Sequence, residues 1–359
     1  MPATLPWRIS MPSHLDPRRR TPIYVLGAFV AGVLLTVGVL HLGPAPVTVI
    51  REPVAAASPA VAGTAPTEAA PAAATSTATD DESVDVDSSD WPNDAPTPEQ
   101  VFTAQPESLR KAVAALAPRT PGKTNIYALA FGGDGSEDVF RNEAEYFDAL
   151  VSKRFASPGH TLVLENNPAT LTTRPLASWT NLEGAIDGLA KVMDPREDIL
   201  VVYLSTHGGS DHSLLVDMDP IPLDQLDADG VSEILSRHAF RWKVVVVNAC
   251  YSGGFVPNLS GPGTLVMTSA RTDRTSFGCG VDSDITYFGR AWLVDGLNTT
   301  PDFVEAFDKA KTEIAAWEKK GALEASEPQI AIGDGIEDKL AAWRKGMKAG
   351  AAVPFEPAQ

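Results

Sequence analysis

Five short runs of consecutive apolar residues frame this chain: NIYALAF (Asn125–Phe131), TLVLEN (Thr161–Asn166), DILVVYLS (Asp198–Ser205), KVVVVNA (Lys243–Ala249) and TLVMTSA (Thr264–Ala270). A strand with one wet face alternates polar and apolar residues, so near-continuous apolar runs read as strands buried on both faces. Between them, Arg141–Lys153, Asn181–Met193 and Leu223–His238 place apolar residues at helical intervals, with Thr180, Asn181 and Pro195 as start and stop signals. Further helical segments are predicted near Phe288–Gly296, Phe303–Lys319 and Ile336–Lys348. Strand and helix alternate, which predicts one α/β domain with right-handed crossovers and a mainly parallel sheet covered by helices on both faces.

The N-terminal third has a different character. Ile23–Leu42 reads IYVLGAFVAGVLLTVGVLHL, about 20 residues without a formal charge, enough to span a hydrocarbon core of roughly 30 Å. Arg8, Arg18, Arg19 and Arg20 precede it and Arg51 is the one nearby basic residue after it, so the positive-inside rule keeps the N-terminus cytoplasmic and exports the rest. The competing reading is a cleavable signal peptide with Ala55 and Ala57 near the cut; the length of the apolar stretch favours an anchor. From about Gly43 to Glu99 the chain is mostly Ala, Pro, Thr, Ser and acidic residues, which bury too little apolar surface to offset ordering entropy. The organisation expected is a cytoplasmic tail over 1–21, a transmembrane anchor over 22–43, a disordered linker over 44–98, a catalytic domain over 99–349 and a C-terminal tail over 350–359.

A formal net charge of −17, with no basic patch, argues against nucleic-acid binding. Two cysteines, Cys250 and Cys279, cannot build a disulfide scaffold. The acidic cluster Asp217, Asp219, Asp224, Asp227 and Asp229 has its glycine, Gly230, misplaced for an EF-hand loop, and His212 has no standard zinc spacing, so neither a metal nor another cofactor is implied.

In a parallel sheet, chemistry gathers at the carboxyl ends of the strands. The strand ending at Ser205 runs into Thr206, His207, Gly208 and Gly209, and the strand ending at Ala249 runs into Cys250, Tyr251, Ser252, Gly253 and Gly254. A thiolate is a nucleophile and an imidazole raises its population, so Cys250 and His207 on one sheet edge form the minimal apparatus for attack on an amide carbonyl. Gly208 lets a backbone N–H approach a developing oxyanion, with the Cys250 N–H as second donor. Read alone, a cysteine at a strand end is usually a small core residue, and it is the joint position with His207 that brings the catalytic reading level with that one.

The ordered set VVYLSTHGG, VVVVNACYSGGF and TSARTDRTSFGCG followed by TYFG resembles the legumain family of cysteine peptidases, bacterial branch, with VFRNE and SEPQI as weaker points of likeness. The resemblance covers about Asn125 to Gly333. It implies a caspase-like three-layer αβα sandwich, Cys250 as nucleophile, His207 as general base and then acid, an oxyanion hole from Gly208 and Cys250, and a protein or peptide substrate. Related members also religate the acyl-enzyme to an amine, so hydrolysis and transpeptidation both stay open.

The resemblance also places the substrate pocket. Legumains hold an asparagine side chain with one arginine and two acidic groups; Arg141 matches the arginine, while Asn248 stands where Glu precedes Ala-Cys and Arg290 stands where Asp follows TYFG. A pocket with Arg141, Arg290 and Ser276 is expected to prefer Asp before the cut, with Asn as the alternative. Val139, two residues before Arg141, cannot hydrogen-bond an imidazole; Asp134 is a substitute third member or, on the plainer reading, a turn residue beside Gly132, Gly133 and Gly135. Cys279 reads as an inert core thiol, with a regulatory thiol or a disulfide to Cys250 as alternatives. The rival function is a catalytically silent peptide-binding module of the same fold.

Overall fold

The computed structural model describes residues 91–280 and 282–358. The expected cytoplasmic tail, the anchor at 22–43 and nearly all of the linker lie outside the described residues. Among the described residues no helix is long and apolar enough to cross a membrane.

Helix α1 (Pro98–Ala114) opens with a capping box in which Thr97 and Gln100 exchange side-chain to backbone hydrogen bonds. Then come β1 (Ile126–Gly132), α2 (Asp138–Ala149, prolonged by a π-helical turn over Leu150–Arg154), β2 (Thr161–Glu165), α3 (Trp179–Val192), β3 (Ile199–Ser205), α4 (Ala228–Ser236), β4 (Trp242–Asn248) and β5 (Thr264–Thr268). A π-helical segment over Gly289–Gly296, α5 (Phe303–Gly321), β6 (Gln329–Ile332) and α6 (Ile336–Gly346) complete the domain. The sheet has six strands in the order β2-β1-β3-β4-β5-β6; the first five are parallel and β6 is antiparallel to β5.

Alternate residues of each strand feed two separate cores. Ala128, Ala130, Val201, Tyr203, Val244 and Val246 pack with α2, the π-helical segment, α5 and α6. Tyr127, Leu129, Phe131, Val202, Leu204, Val245 and Val247 pack with α3 and α4 on the other face. This mixed α/β arrangement, helices on both faces of a mainly parallel sheet, fits a caspase-like sandwich. Gly184 and Gly188, one turn apart on α3, bring Leu109 and Val113 of α1 within contact distance of the helix backbone.

Two elements depart from the sequence reading. The helix expected over Leu223–His238 starts only at Ala228: Asp227 caps it through the Gly230 N–H (2.7 Å), and Leu226 is taken up in a β-bridge with Leu214. Strand β6 was not foreseen, because its four residues are only partly covered and carry no strong pattern. The segment 350–358 folds back onto the domain. Gly350 N–H donates to the Arg154 carbonyl (2.9 Å), Tyr146 Oη donates to the Val353 carbonyl (2.8 Å), and buried Val353 joins the α2 side of the core.

Candidate active site

The strand register sets the site. Gly132, Ser205 and Asn248 lie in one row across β1, β3 and β4. Two residues past the row on each strand come Asp134, His207 and Cys250. The chain moves outward in both directions from the β1–β3 pair, so the site straddles the topological switch point of the sheet.

The loops after β3 and β4 lie in contact. A Cβ added at Gly208 would sit 2.1 Å from the Cys250 carbonyl oxygen, so only glycine fits there. His207 carbonyl accepts from Leu215 N–H and Gly209 N–H donates to Ser213, which leaves the intervening Gly208 N–H without a backbone acceptor among the described residues. The same holds for the Cys250 N–H. Two unengaged donors beside a half-buried thiol are the elements of an oxyanion hole. Tyr251, which follows the cysteine, has a left-handed backbone (φ 55°).

The Cys250 thiol is lowered to about 6, first by a hydrogen bond from the Cys279 thiol, then against the opposing effect of burial by the backbone and hydroxyl of Ser276 and by the charge of nearby His207. Ser276 N–H donates to the sulfur at 3.3 Å. The same contact and burial push the Cys279 thiol well up, so it is the donor of the pair. Cys279, read from sequence as an inert core thiol, thus lies close enough to Cys250 to lower its thiol.

The imidazole of His207 turns Nε2 toward two carboxylates, Glu137 Oε2 at 3.2 Å and Asp134 Oδ2 at 3.6 Å. Phe140 abuts the ring edge to face, with centroids 5.0 Å apart. Asp134 holds the turn, with Oδ1 accepting from Ser136 N–H (2.9 Å) and Oγ (2.8 Å), and turns Oδ2 toward the imidazole. The three polar atoms of Asp134, Glu137 and His207 lie within 4.8 Å of one another, close enough to share a proton. His212 lies outside this trio and bonds the loop after the cysteine through the Tyr251 carbonyl (3.2 Å).

The pocket residues expected from sequence are dispersed. Arg141 is buried in the first turn of α2, with Nη2 donating to the Ala358 carbonyl (2.6 Å), Nη1 to Asn167 Oδ1 (3.3 Å), and Nε without a partner among the described residues. Asn142 Oδ1 accepts from Ala358 N–H (2.9 Å) beside it. Arg290 instead pairs with Asp295 (2.9 Å) at the surface, and Ser276 lies against the cysteine sulfur.

Asn248 is joined to a residue that sequence reading passed over, Glu143. This carboxylate has no exposure and accepts from Asn248 Nδ2 (2.8 Å), Tyr203 Oη (2.7 Å), Ser205 Oγ (2.6 Å), Thr286 Oγ1 (2.6 Å) and Thr286 N–H (2.9 Å). The acidic charge expected to be missing around Asn248 is thus present, supplied from α2. Its signal was faint: a Glu two residues after Arg141, on a helix whose other acidic residues point outward.

No curated protein matches the chain. A family model described as the Peptidase C13 family matches residues 180–338, a span that holds β3 to β6 with His207, Gly208, Cys250, Ser276 and Cys279 and leaves out Asp134, Glu137, Arg141 and Glu143. With the thiol, the imidazole and the open N–H pair inside that span, the match supports a legumain-like cysteine peptidase.

Proposed function

We propose that this chain is a membrane-anchored cysteine endopeptidase whose catalytic domain works outside the cytoplasm, with Cys250 as nucleophile and His207 as acid and base. The observation that carries the reading is the contact of the two loops at Gly208 and Cys250, which sets a lowered thiol and two unengaged N–H groups in one place. In the reaction, the Cys250 thiolate attacks the scissile carbonyl carbon, and the carbonyl oxygen takes negative charge facing the N–H groups of Gly208 and Cys250. Protonated His207 gives its proton to the leaving amine, then takes one from the water that hydrolyses the thioester.

Arg141 supplies the basic group for the side chain before the cut, which favours Asp, with Asn as the alternative. The uncharged stretch at 22–43 and the arginines before it support the anchor at the cytoplasmic membrane, and the linker of about 55 residues gives the domain reach to exported proteins or peptides.

The test is incubation of the detergent-solubilised full chain with a peptide library varied before the cut, beside Cys250→Ala. Cleavage after Asp or Asn that disappears in the variant supports the reading. No cleavage under reducing or oxidising conditions sinks it in favour of a peptide-binding module. An Asp-to-Ala change in a cleaved peptide that leaves turnover unaltered removes the specificity proposed.

A further inference from the structure

We propose that Glu137, with Asp134 behind it, is the positioning residue of the His207 imidazole, and that this carboxylate pair stands in for the hydrogen-bonding group that Val139 cannot provide. The inference rests on the reading of Cys250 and His207 as the catalytic pair.

Glu137 occupies the N-cap of α2, where a side chain ordinarily accepts from the first turn of the helix, yet it makes no such bond. Its Oε2 is given to His207 Nε2 instead, at 3.2 Å, from a side chain only 13% exposed. Asp134 is held from behind by Ser136, so its Oδ2, 3.6 Å from Nε2, has a fixed place. Val139 lies fully buried in the core one position into α2 and offers only methyl groups.

A carboxylate only accepts, so a bond to Nε2 requires a proton on Nε2. That fixes the tautomer and leaves Nδ1 as the base for the Cys250 thiol. Once Nδ1 is protonated, two negative charges stabilise the imidazolium beside the thiolate. The titratable groups around this ion pair are Asp134 and Glu137 from the β1–α2 turn, with Cys279 on the thiol side. Replacing Glu137 by an amide withdraws the acceptor-only group that holds the Nε2–H tautomer.

The experiment uses the full chain labelled with 15N-histidine, with the His207 resonances identified by their loss in His207→Gln. In wild type, the neutral ring is expected as the Nε2–H tautomer. In Glu137→Gln, whose amide can accept or donate, the tautomers should mix, whereas Glu137→Asp keeps a pure acceptor and most of the Nε2–H form. Peptide turnover should fall roughly 10- to 100-fold in kcat with KM nearly unchanged in Glu137→Gln. An unchanged tautomer in Glu137→Gln overturns the proposal, even if turnover drops, since Glu137 would then serve only the fold. The NMR arm needs no substrate. If wild type cleaves nothing while the tautomer changes as stated, the peptidase reading fails and the positioning role stands.

Discussion

Ser205 at the end of β3 and Asn248 at the end of β4 are direct register partners, and the Asn248 amide reaches Ser205 Oγ at 3.2 Å. The loops that leave these two residues start level, and Gly208 closes the gap between them against the Cys250 carbonyl. Gly208→Ala forces the loops apart by about an ångström. A displacement of that size is expected to cut kcat by roughly 100-fold, while far-ultraviolet circular dichroism stays at wild type. Turnover within a factor of two of wild type would show that the loops yield freely.

The Cys279 contact makes a prediction about pH. The Cys250 thiol is lowered to about 6, so its thiolate, and with it the rate of alkylation by iodoacetamide, should rise through that pH and fall away below it. Cys279→Ala removes the largest stabilising bond to the thiolate and leaves Cys250 as the sole cysteine. The alkylation midpoint should then move up toward the ordinary thiol range of about 8.5. A midpoint that stays near its original value would free Cys279 of this role.

Glu143 gathers five donors in a site closed to bulk solvent. Glu143→Ala strands the Tyr203, Ser205 and Thr286 hydroxyls and the Asn248 amide, each at a cost of about 1–3 kcal/mol before relaxation. A loss of at least ~3 kcal/mol is expected in urea unfolding. Glu143→Gln keeps an acceptor and should lose less, so equal losses would argue against hydrogen bonding as the cause.

Glu165, at the end of β2, is buried with both carboxylate oxygens unpartnered among the described residues. Burial, with the charge of Glu145 second, raises it to about 8. Its folded value lies above the unfolded one, so folding holds the proton more tightly. Its stabilising effect is complete below about pH 4.5 and is lost as pH rises through about 8, by an amount on the order of a few kcal/mol. Glu165→Gln should flatten that decline and unfold at higher urea than wild type at pH 9. Parallel stability curves across this range would remove the assignment.

The sheet, and the shared strand edge that carries Cys250 and His207, were legible because they follow from counting. Apolar runs mark parallel strands, and parallel strands put their next residues on one edge. Asp134 was half legible, since a turn aspartate and a site aspartate have the same neighbours in sequence. Glu137 was not, because its use depends on an N-cap side chain forgoing its own helix. Glu143 was hidden by its helical setting, where a glutamate normally faces water. The partner of Arg290 was not legible for a related reason: position after TYFG does not reveal which way a long side chain turns, and here it pairs with Asp295. The fold-back of 350–358 carries no periodic pattern at all, only Val353 and a few backbone groups that find partners on α2.

The contact between Arg141 and the Ala358 carbonyl bears on how the protein is handled at the bench. A tag or label attached at Ala358 would emerge beside the arginine proposed to read the substrate. Specificity profiles taken on protein labelled there would then report the label's crowding together with the pocket's preference, so purification handles belong on the linker side of α1.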